Sequence, residues 1–233
     1  MSGGSIGDTL GVAARFLYRQ AYTHSVAVIF AYSENPSEDE PPVVHGGSGA
    51  LIDFEGRVCV IPCDHVLRGY EILKSNEPRY RFQIGQQHLE LDHVRDRDEV
   101  LDLASIDVTG LDLEALGNRS DGAAQALRPT RWPNAPVRPG EIVVVCGFPA
   151  DTRELDAADQ TIVSVAFPFV DHVMEVDDDC FRITFDRSAW VSTEDDSAAP
   201  EWVARTDLGG MSGSPVFARR DLGGVAVLEF VGL

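Results

Sequence analysis

The sequence predicts an all-β protein. Runs of β-branched and aromatic residues that suit strands recur along the chain, for example from His24 to Tyr32 and from Glu141 to Phe148. Two further runs, Val43 to Phe54 and Arg57 to Pro62, are separated only by Glu55-Gly56, which is the spacing of a hairpin. The chain has 233 residues, of which 44% are hydrophobic and 24% charged. This composition suits a packed globular core, and all-β chains of this size often form one unit.

The same signals predict the other elements in chain order. Apolar residues recur at helical spacing from Asp8 to Tyr22, which predicts a short N-terminal helix capped by Asp8. A second hairpin is expected from Tyr80 to Ile84 and His88 to Asp92, followed by a strand from Asp98 to Asp107. Four prolines mark Leu111 to Gly140 as a linker. The later strands are expected at Thr161 to Phe167, Phe181 to Phe185, Pro215 to Ala218 and Val225 to Leu233, with a turn at Arg219 to Gly224.

The charge of the chain excludes several classes of partner. Its 38 acidic and 19 basic residues give a formal net charge of -19. Nucleic acid and anionic membrane would be repelled, whereas basic peptide segments would be attracted. The N-terminal sequence lacks the basic and apolar regions of a secretory signal, and no window reaches the roughly 18 consecutive apolar residues of a membrane span. We therefore expect a cytoplasmic protein with no nucleic-acid or membrane partner.

The chain has four cysteines, at Cys59, Cys63, Cys146 and Cys180. By number alone they could form two disulfides. Because no secretory signal is found, four reduced thiols that lie mostly in strands are the better prediction.

Two kinds of metal site can be considered. Cys59 and Cys63 lie near His65, but no second pair of ligands completes a zinc site. Acidic runs occur at Asp177 to Asp179 and Glu194 to Asp196, where calcium could bind, although isolated acidic loops usually face water. The sequence therefore predicts no metal and no cofactor.

The stretch from Thr206 to Phe217, T-D-L-G-G-M-S-G-S-P-V-F, carries the strongest chemical signal. Its glycines form a tight turn before a strand-like ending, and Ser212 lies at the crest of that turn. Acyl transfer needs backbone N–H groups that converge on the oxygen of a tetrahedral intermediate, where a Cβ would obstruct them. The pattern indicates that Ser212 is a nucleophile and that the N–H groups of Gly210 and Ser212 form an oxyanion hole. A plain turn is the alternative.

This segment also resembles a known family. Gly210 to Pro215, G-M-S-G-S-P, is similar to the G-x-S-G-[GS]-P motif around the nucleophile of trypsin/chymotrypsin-like serine proteases, including bacterial and intracellular members. Gly47 to Ile52, G-S-G-A-L-I, resembles the family's strand before the histidine. Cys59 to Leu67 fits the strand that normally ends in T-A-A-H, although Pro62, Cys63 and Asp64 replace the usual small residues.

The resemblance implies a catalytic triad. The family's acid lies in a D-L-A pattern, which Asp102 matches and which Asp98 and Asp107 do not. The chain order His65, Asp102, Ser212 is that of the chymotrypsin type and excludes the orders of α/β-hydrolases and subtilisins. We expect Ser212 to attack a carbonyl carbon, His65 to transfer protons and Asp102 to orient the imidazole.

The implied fold consists of two six-stranded-type antiparallel β-barrels in a single trypsin-like peptidase domain over residues 1–233. Its parts are expected at residues 23–110 for the N-terminal barrel with His65 and Asp102, 111–140 for the linker, and 141–233 for the C-terminal barrel with Ser212. Few residues follow Ser212 compared with the resembling family. We therefore expect the second barrel to be incomplete at its C-terminus. Either a regulatory partner or a further domain of a longer protein completes it, or the half-barrel is degenerate and the protein non-catalytic.

The sequence departs from the trypsin subgroup at two positions. Met211 replaces the aspartate that pairs with a new N-terminus after cleavage, so no activation switch of that kind is expected. Val66 replaces the cysteine that follows the catalytic histidine in extracellular members. The floor of the substrate pocket is expected at Thr206 and Asp207. Asp207 would favour a basic side chain, or else only cap a turn.

Taken together, the motifs predict a serine endopeptidase that acts on protein or peptide substrates. An inactive protease-like module that binds peptides or partner proteins is the main alternative. A third reading is an esterase that acts on small acyl substrates.

Overall fold

The computed structural model describes residues 16–32, 43–76, 80–117, 124–129, 136–156, 161–178, 180–185, 208–223 and 225–233. Within these ranges the chain folds mainly into curled antiparallel sheets, and helices are few. The prediction of an all-β fold is confirmed.

The N-terminal half forms a seven-stranded sheet in the order β5-β4-β1-β2-β3-β7-β6, with antiparallel neighbours throughout. The hairpin of β2 and β3 turns at Glu55 and Gly56, which both have positive φ angles. A core of buried side chains, among them Leu51, Tyr70 and Phe82, packs inside the curved sheet. The strands are β1 Ser25–Tyr32, β2 Val43–Phe54, β3 Arg57–Pro62, β4 Arg81–Ile84, β5 Gln87–Leu89, β6 Val94–Asp98 and β7 Leu103–Asp107.

The C-terminal half forms a five-stranded sheet in the order β12-β11-β8-β13-β14 and a two-stranded sheet of β9 and β10. Among the described residues no strand pairs with the outer edge of β12 or β14, so this half-barrel is open. The prediction of an incomplete second barrel is confirmed. The strands are β8 Ile142–Gly147, β9 Arg153–Asp156, β10 Thr161–Ser164, β11 Phe167–Val176, β12 Phe181–Ile183, β13 Val216–Leu222 and β14 Val225–Gly232.

Three α-helices accompany the sheets in the described part of the chain. Residues 16–23 form α1, and its buried Leu17 and Tyr18 pack in one cluster with Ile52 of β2 and Phe217 of β13, so that this helix joins the two halves. The predicted helix began at Asp8, but residues 8–15 lie outside the described residues. The other helices are α2 Asp64–Asn76 and α3 Leu113–Gly117. None of the described helices has the length and apolar character needed to cross a membrane.

A buried glutamine also joins the two halves. Gln83 of β4 is 4% exposed, and its side-chain amide bonds to β10 in the way that the backbone of a neighbouring strand would. Its Nε2 donates to the carbonyl of Ile162 at 2.8 Å, and its Oε1 accepts the N–H of Ile162 at 3.1 Å. Because both polar atoms are satisfied, the side chain can lie in the interior and fix the register between the halves.

Three strand predictions differ from the structure. The strand expected from Asp98 to Asp107 is broken by a turn over residues 99–102, because the Asp98 carboxylate accepts the N–H groups of Val100 and Leu101 at 2.9 and 3.0 Å. The turn expected at Arg219 to Gly224 is shorter, since β13 continues to Leu222. Strands β6 and β9 and most of β11 were not predicted, and Pro168 near the start of β11 argues against a strand there.

Candidate active site

His65 and Asp102 lie in direct contact, as the triad prediction requires. Strand β3 ends at Pro62, and α2 begins two residues later, so that His65 lies in the first turn of the helix. The Nδ1 atom of His65 is 2.6 Å from Oδ2 of Asp102, and the backbone N–H of His65 donates to Oδ1 at 2.8 Å. The same carboxylate therefore holds both the ring and the backbone of His65.

These contacts change the acidity of Asp102. Burial acts to raise the pKa of its carboxyl group, but hydrogen bonds from the ring and the backbone of His65 outweigh it. The charges of His65 and Arg68 add to the effect, and the pKa of Asp102 is lowered. Arg68 Nη2 is 3.7 Å from Oδ1 of Asp102. The carboxylate is therefore held in its charged form, in which it can stabilise an imidazolium.

The backbone of Asp102 is in an unusual conformation for a residue other than glycine. Its φ angle is 54°, in the left-handed region. The carbonyl of Asp102 accepts the N–H of Asp64 at 3.0 Å, and Leu103 forms an isolated bridge with Cys63. These bonds fix the acid against the start of α2, and such costly conformations are concentrated at functional sites.

A buried carboxylate next to His65 in the chain supports the contact between His65 and Asp102. The side chain of Asp64, the residue before His65, is 1% exposed. Arg97 Nε of β6 donates to its Oδ1 at 2.6 Å, and Arg68 Nε lies 3.0 Å from Oδ2 as an ion pair without hydrogen-bond geometry. Arg97 also contacts Glu71 at 2.8 Å. Asp64 thus ties α2 to β6, and Arg68 reaches both Asp64 and Asp102.

We expect Asp64→Asn to lower the free energy of unfolding by about 3 kcal/mol. Breaking a buried ion pair typically costs about 3–5 kcal/mol, and the lower end applies because both arginines can reach solvent. Urea denaturation with an unchanged m value would measure the loss. Glu71→Gln is the matched control: its carboxylate also binds Arg97 but is 44% exposed, so a loss within about 1 kcal/mol is expected. Equal losses for the two variants would contradict the role of Asp64.

Cys63 is the third titratable group beside the pair. Burial, and next the charge of Asp102, raise the pKa of its thiol to about 11. Its Sγ, a ring nitrogen of His65 and a carboxylate oxygen of Asp102 lie within 4.8 Å of one another, and these are ligand types that zinc accepts. However, two ligands on one tetrahedral zinc would be about 3.3 Å apart. The 2.6 Å contact between His65 and Asp102 is instead that of a hydrogen bond. The four cysteines, all within the described residues, form no disulfide, and Cys59 and Cys146 are buried.

Ser212 lies in a tight loop that touches the segment leading to His65. The flanking Gly210 and Gly213 have φ angles of 91° and 84°. A Cβ on Gly213 would lie 2.2 Å from the carbonyl oxygen of Ser48 and 2.9 Å from the N atom of Cys63, so only glycine fits there. Ser212 and Cys63 line the same cleft, of about 1240 Å³, between the two halves.

The two N–H groups predicted to form an oxyanion hole belong to Gly210 and Ser212. In the described part of the chain, neither of them has a hydrogen-bond acceptor. The neighbouring carbonyls are occupied, since Gly209 accepts the N–H of Ala150 at 2.7 Å and Met211 accepts the N–H of Ser214 at 2.9 Å. Among the described residues, these two donors are therefore available to the predicted oxyanion hole.

The predicted pocket residues Thr206 and Asp207 lie outside the described residues, and so does the acidic run Glu194 to Asp196. Of Asp177 to Asp179, the first two are described and line the cleft. Its wall beside Ser212 is mainly apolar, and its rim carries several carboxylates. The wall includes Val145, Phe169, Leu208, Met211 and Val216, and the rim includes Asp96, Asp98, Asp177 and Asp178.

Two supporting residues were missed by the sequence analysis. Ser48 is fully buried against the Ser212 loop, and Asp64, the residue before His65, is also buried. The G-S-G-A-L-I segment was recognised only as a strand, although a serine between two glycines is itself a sign of close backbone contact. Asp64 has a local ion-pair partner in Arg68, but its hydrogen-bond partner Arg97 lies on strand β6, and no local pattern predicts that contact.

Comparison with known families agrees with this geometry. The trypsin-like peptidase domain family matches residues 47–226, which include most of β2, all of β3 to β13 and the three predicted triad residues. No curated protein matches the chain. A match over most of the chain, on a mainly antiparallel β fold of the expected kind, identifies this protein as a member of the trypsin-like peptidase domain family.

Proposed function

We propose that this protein is a serine endopeptidase that uses His65, Asp102 and Ser212. The observation that carries the proposal is the double contact of Asp102 with the ring and backbone of His65, at 2.6 and 2.8 Å. A carboxylate in this position holds Nδ1 protonated and leaves Nε2 to accept a proton. The cleft that Ser212 lines is large enough for a peptide segment.

The reaction follows from these roles. Ser212 Oγ attacks the peptide carbonyl carbon while Nε2 of His65 takes the hydroxyl proton. The carbonyl π electrons move to oxygen, which the N–H groups of Gly210 and Ser212 would stabilise. When the tetrahedral intermediate collapses, the C–N bond breaks and His65 gives its proton to the leaving amine. Water then attacks the acyl-enzyme by the same steps, releases the acid and restores Ser212.

The proposed substrates are peptides or unfolded protein segments. An apolar wall beside Ser212 suits an apolar side chain, and the carboxylates of the rim attract basic residues on either side of it. The arginine of the rim does not offset them, because Arg97 is bound to Asp64 and Glu71. We further propose that the protein acts in the cytoplasm, and the absence of a disulfide among its four cysteines, all of which the structure describes, supports this.

Incubation with a set of unstructured peptides, followed by mass spectrometry of the products, would test the function. We expect internal cleavage, and after exposure to a fluorophosphonate we expect a mass adduct that peptide mapping places on Ser212. Heat-denatured protein is the control for nonspecific labelling. Labelling without peptide cleavage would indicate an esterase. Neither labelling nor cleavage would overturn the proposal and favour a module that only binds peptides.

A further inference from the structure

Ser48 of the N-terminal half contacts the Ser212 loop directly. It lies in the middle of β2 and is fully buried, at 0% exposure. The loop itself belongs to the C-terminal half, just before β13. A buried polar side chain must find hydrogen-bond partners, and those of Ser48 lie across the boundary between the halves.

Ser48 makes three hydrogen bonds to the C-terminal half. Its hydroxyl donates to the carbonyl of Gly210 at 2.9 Å and accepts the N–H of Phe148 at 2.9 Å. Its backbone N–H donates to the carbonyl of Ser212 at 2.7 Å. One residue thus binds both Gly210 and Ser212, which supply the two free N–H groups, and anchors them to the end of β8.

The carbonyl bonds determine where the N–H of Gly210 points. In a trans peptide the C=O and N–H groups point in opposite directions. The carbonyl of Gly209 is held by the N–H of Ala150 at 2.7 Å, so the N–H of Gly210 must point away from Ala150. On its other side the carbonyl of Gly210 is held by Ser48, so neither peptide group that flanks Gly210 can rotate without breaking a hydrogen bond.

Close packing around Gly210 also restricts the orientation of its peptide groups. A Cβ on this residue would lie 2.4 Å from Nη2 of Arg153 and 2.9 Å from the carbonyl oxygen of Phe148. Nη2 of Arg153 donates to that carbonyl at 3.2 Å. The peptide that precedes Phe148 donates to Ser48, and the peptide that follows it accepts from Arg153. The loop is therefore packed against a surface that hydrogen bonds hold in place.

We propose that Ser48 is a positioning residue, which holds the carbonyls of Gly210 and Ser212 and thereby restrains the backbone that presents the N–H groups of these two residues to the oxyanion. This inference rests on the proposed endopeptidase function of the same site. Ser48 is buried behind the loop and acts through Gly210 and Ser212. A hydroxyl is required because the position must donate to one carbonyl and accept one N–H at the same time. Alanine would leave both groups buried without partners.

Ser48→Ala is the direct test, with Ser25→Ala as its matched control. Ser25 is also fully buried, and its hydroxyl donates to the carbonyl of Ala21 at 2.9 Å on the neighbouring strand β1, away from the loop. We expect kcat of Ser48→Ala to fall about 10- to 100-fold with little change in KM, because losing an oxyanion-hole donor outright costs about 10²- to 10³-fold. Binding of a peptide aldehyde, which forms the oxyanion, should weaken in parallel with kcat/KM. Ser25→Ala should keep its kcat.

Hydrogen exchange gives a readout that does not need activity. In Ser48→Ala, peptides that cover residues 208–217 should exchange at least about tenfold faster than in wild type, whereas Ser25→Ala should leave them unchanged. If Ser48→Ala does not fold, Ser48→Cys replaces it in the same measurements of kcat and hydrogen exchange, since a thiol is a weaker donor and acceptor than a hydroxyl.

The outcomes separate this inference from the proposed function. An active wild type with equal kcat in the Ser48 and Ser25 variants would overturn the role of Ser48 and leave the endopeptidase intact. An inactive wild type would overturn the endopeptidase. If the wild type is inactive, an unchanged rate of hydrogen exchange over residues 208–217 in Ser48→Ala would overturn the positioning role as well. Faster hydrogen exchange would support the role of Ser48 as a structural constraint on the loop.

Discussion

Ser212→Ala is expected to abolish labelling by fluorophosphonates and to reduce peptide hydrolysis by a factor of about 10⁶. Alanine removes the oxygen that forms the acyl-enzyme, and loss of the nucleophile in enzymes of this mechanism costs about this much in kcat. The fold should persist, because the carbonyl of residue 212, which Ser48 binds at 2.7 Å, remains in place. Intact-protein mass spectrometry and product analysis would measure the two losses.

Ser75→Ala provides the control for this variant. Ser75 is an exposed serine near the end of α2, and its hydroxyl donates to the carbonyl of Ile72 at 2.7 Å. The variant should be labelled like the wild type, since exposure alone does not activate a hydroxyl. Labelling of Ser212→Ala at an unchanged rate would show that another residue reacts and would end the case for Ser212.

The sequence was sufficient to predict those parts of the fold whose signals are local. Strands β2 and β3 have the bounds that the alternation of residues and the Glu55-Gly56 turn predict. The pairing of His65 with Asp102 was expected from a resemblance to short motifs, and the two side chains are in contact. Both features depend on residues that are close in sequence or on patterns that are shared across a family.

The features that were missed depend either on a side-chain hydrogen bond that competes with a strand or on contacts between distant parts of the chain. Asp102 was placed inside a strand, but Asp98 accepts two N–H groups and turns the chain, so that Asp102 adopts a left-handed conformation. Strand propensity alone does not reveal that competing hydrogen bond. The roles of Ser48 and Asp64 depend on partners 162 and 33 residues away, Gly210 and Arg97. No local pattern contains such pairs.

Both supporting contacts act on the backbone of the site. Asp64 and its arginines fix the start of α2, from which the N–H of His65 reaches Asp102. Ser48 fixes the carbonyls on either side of Met211. Because catalysis by electrostatic stabilisation depends on dipoles that are already oriented, changes at these buried positions should affect turnover even though neither side chain reaches the substrate.

Asp102→Asn is expected to lower kcat about 10⁴-fold. In the wild type, Oδ1 accepts the backbone N–H of His65 and Oδ2 accepts the ring Nδ1–H. An asparagine has a single acceptor oxygen. If that oxygen faces the backbone N–H, the amide NH₂ group faces Nδ1 and stabilises the tautomer protonated on Nε2, which cannot accept a proton from Ser212. A wrong tautomer with the geometry intact costs about 10⁴ in kcat.

Asp98→Asn on the same hairpin is the matched control. The Oδ1 atom of Asp98 accepts the N–H groups of Val100 and Leu101, and an asparagine oxygen can accept them equally well. We expect this variant to keep kcat within a few fold. A loss of similar size in both variants would mean that the hairpin conformation, and not the carboxylate of Asp102, determines the rate.

Stability against pH gives a second, independent readout of Asp102. Because its pKa is lowered in the folded protein, the unfolded chain binds this proton more tightly than the folded one. The ionised carboxylate therefore contributes to stability above the usual pKa of an aspartate, and the contribution is lost as the pH falls through the lowered folded-state pKa. Asparagine does not titrate, so the difference in unfolding free energy between wild type and Asp102→Asn should be largest near neutral pH and should shrink in acid. A difference that stays constant from neutral to acidic pH would show that the charge of Asp102 is not what holds His65 in place.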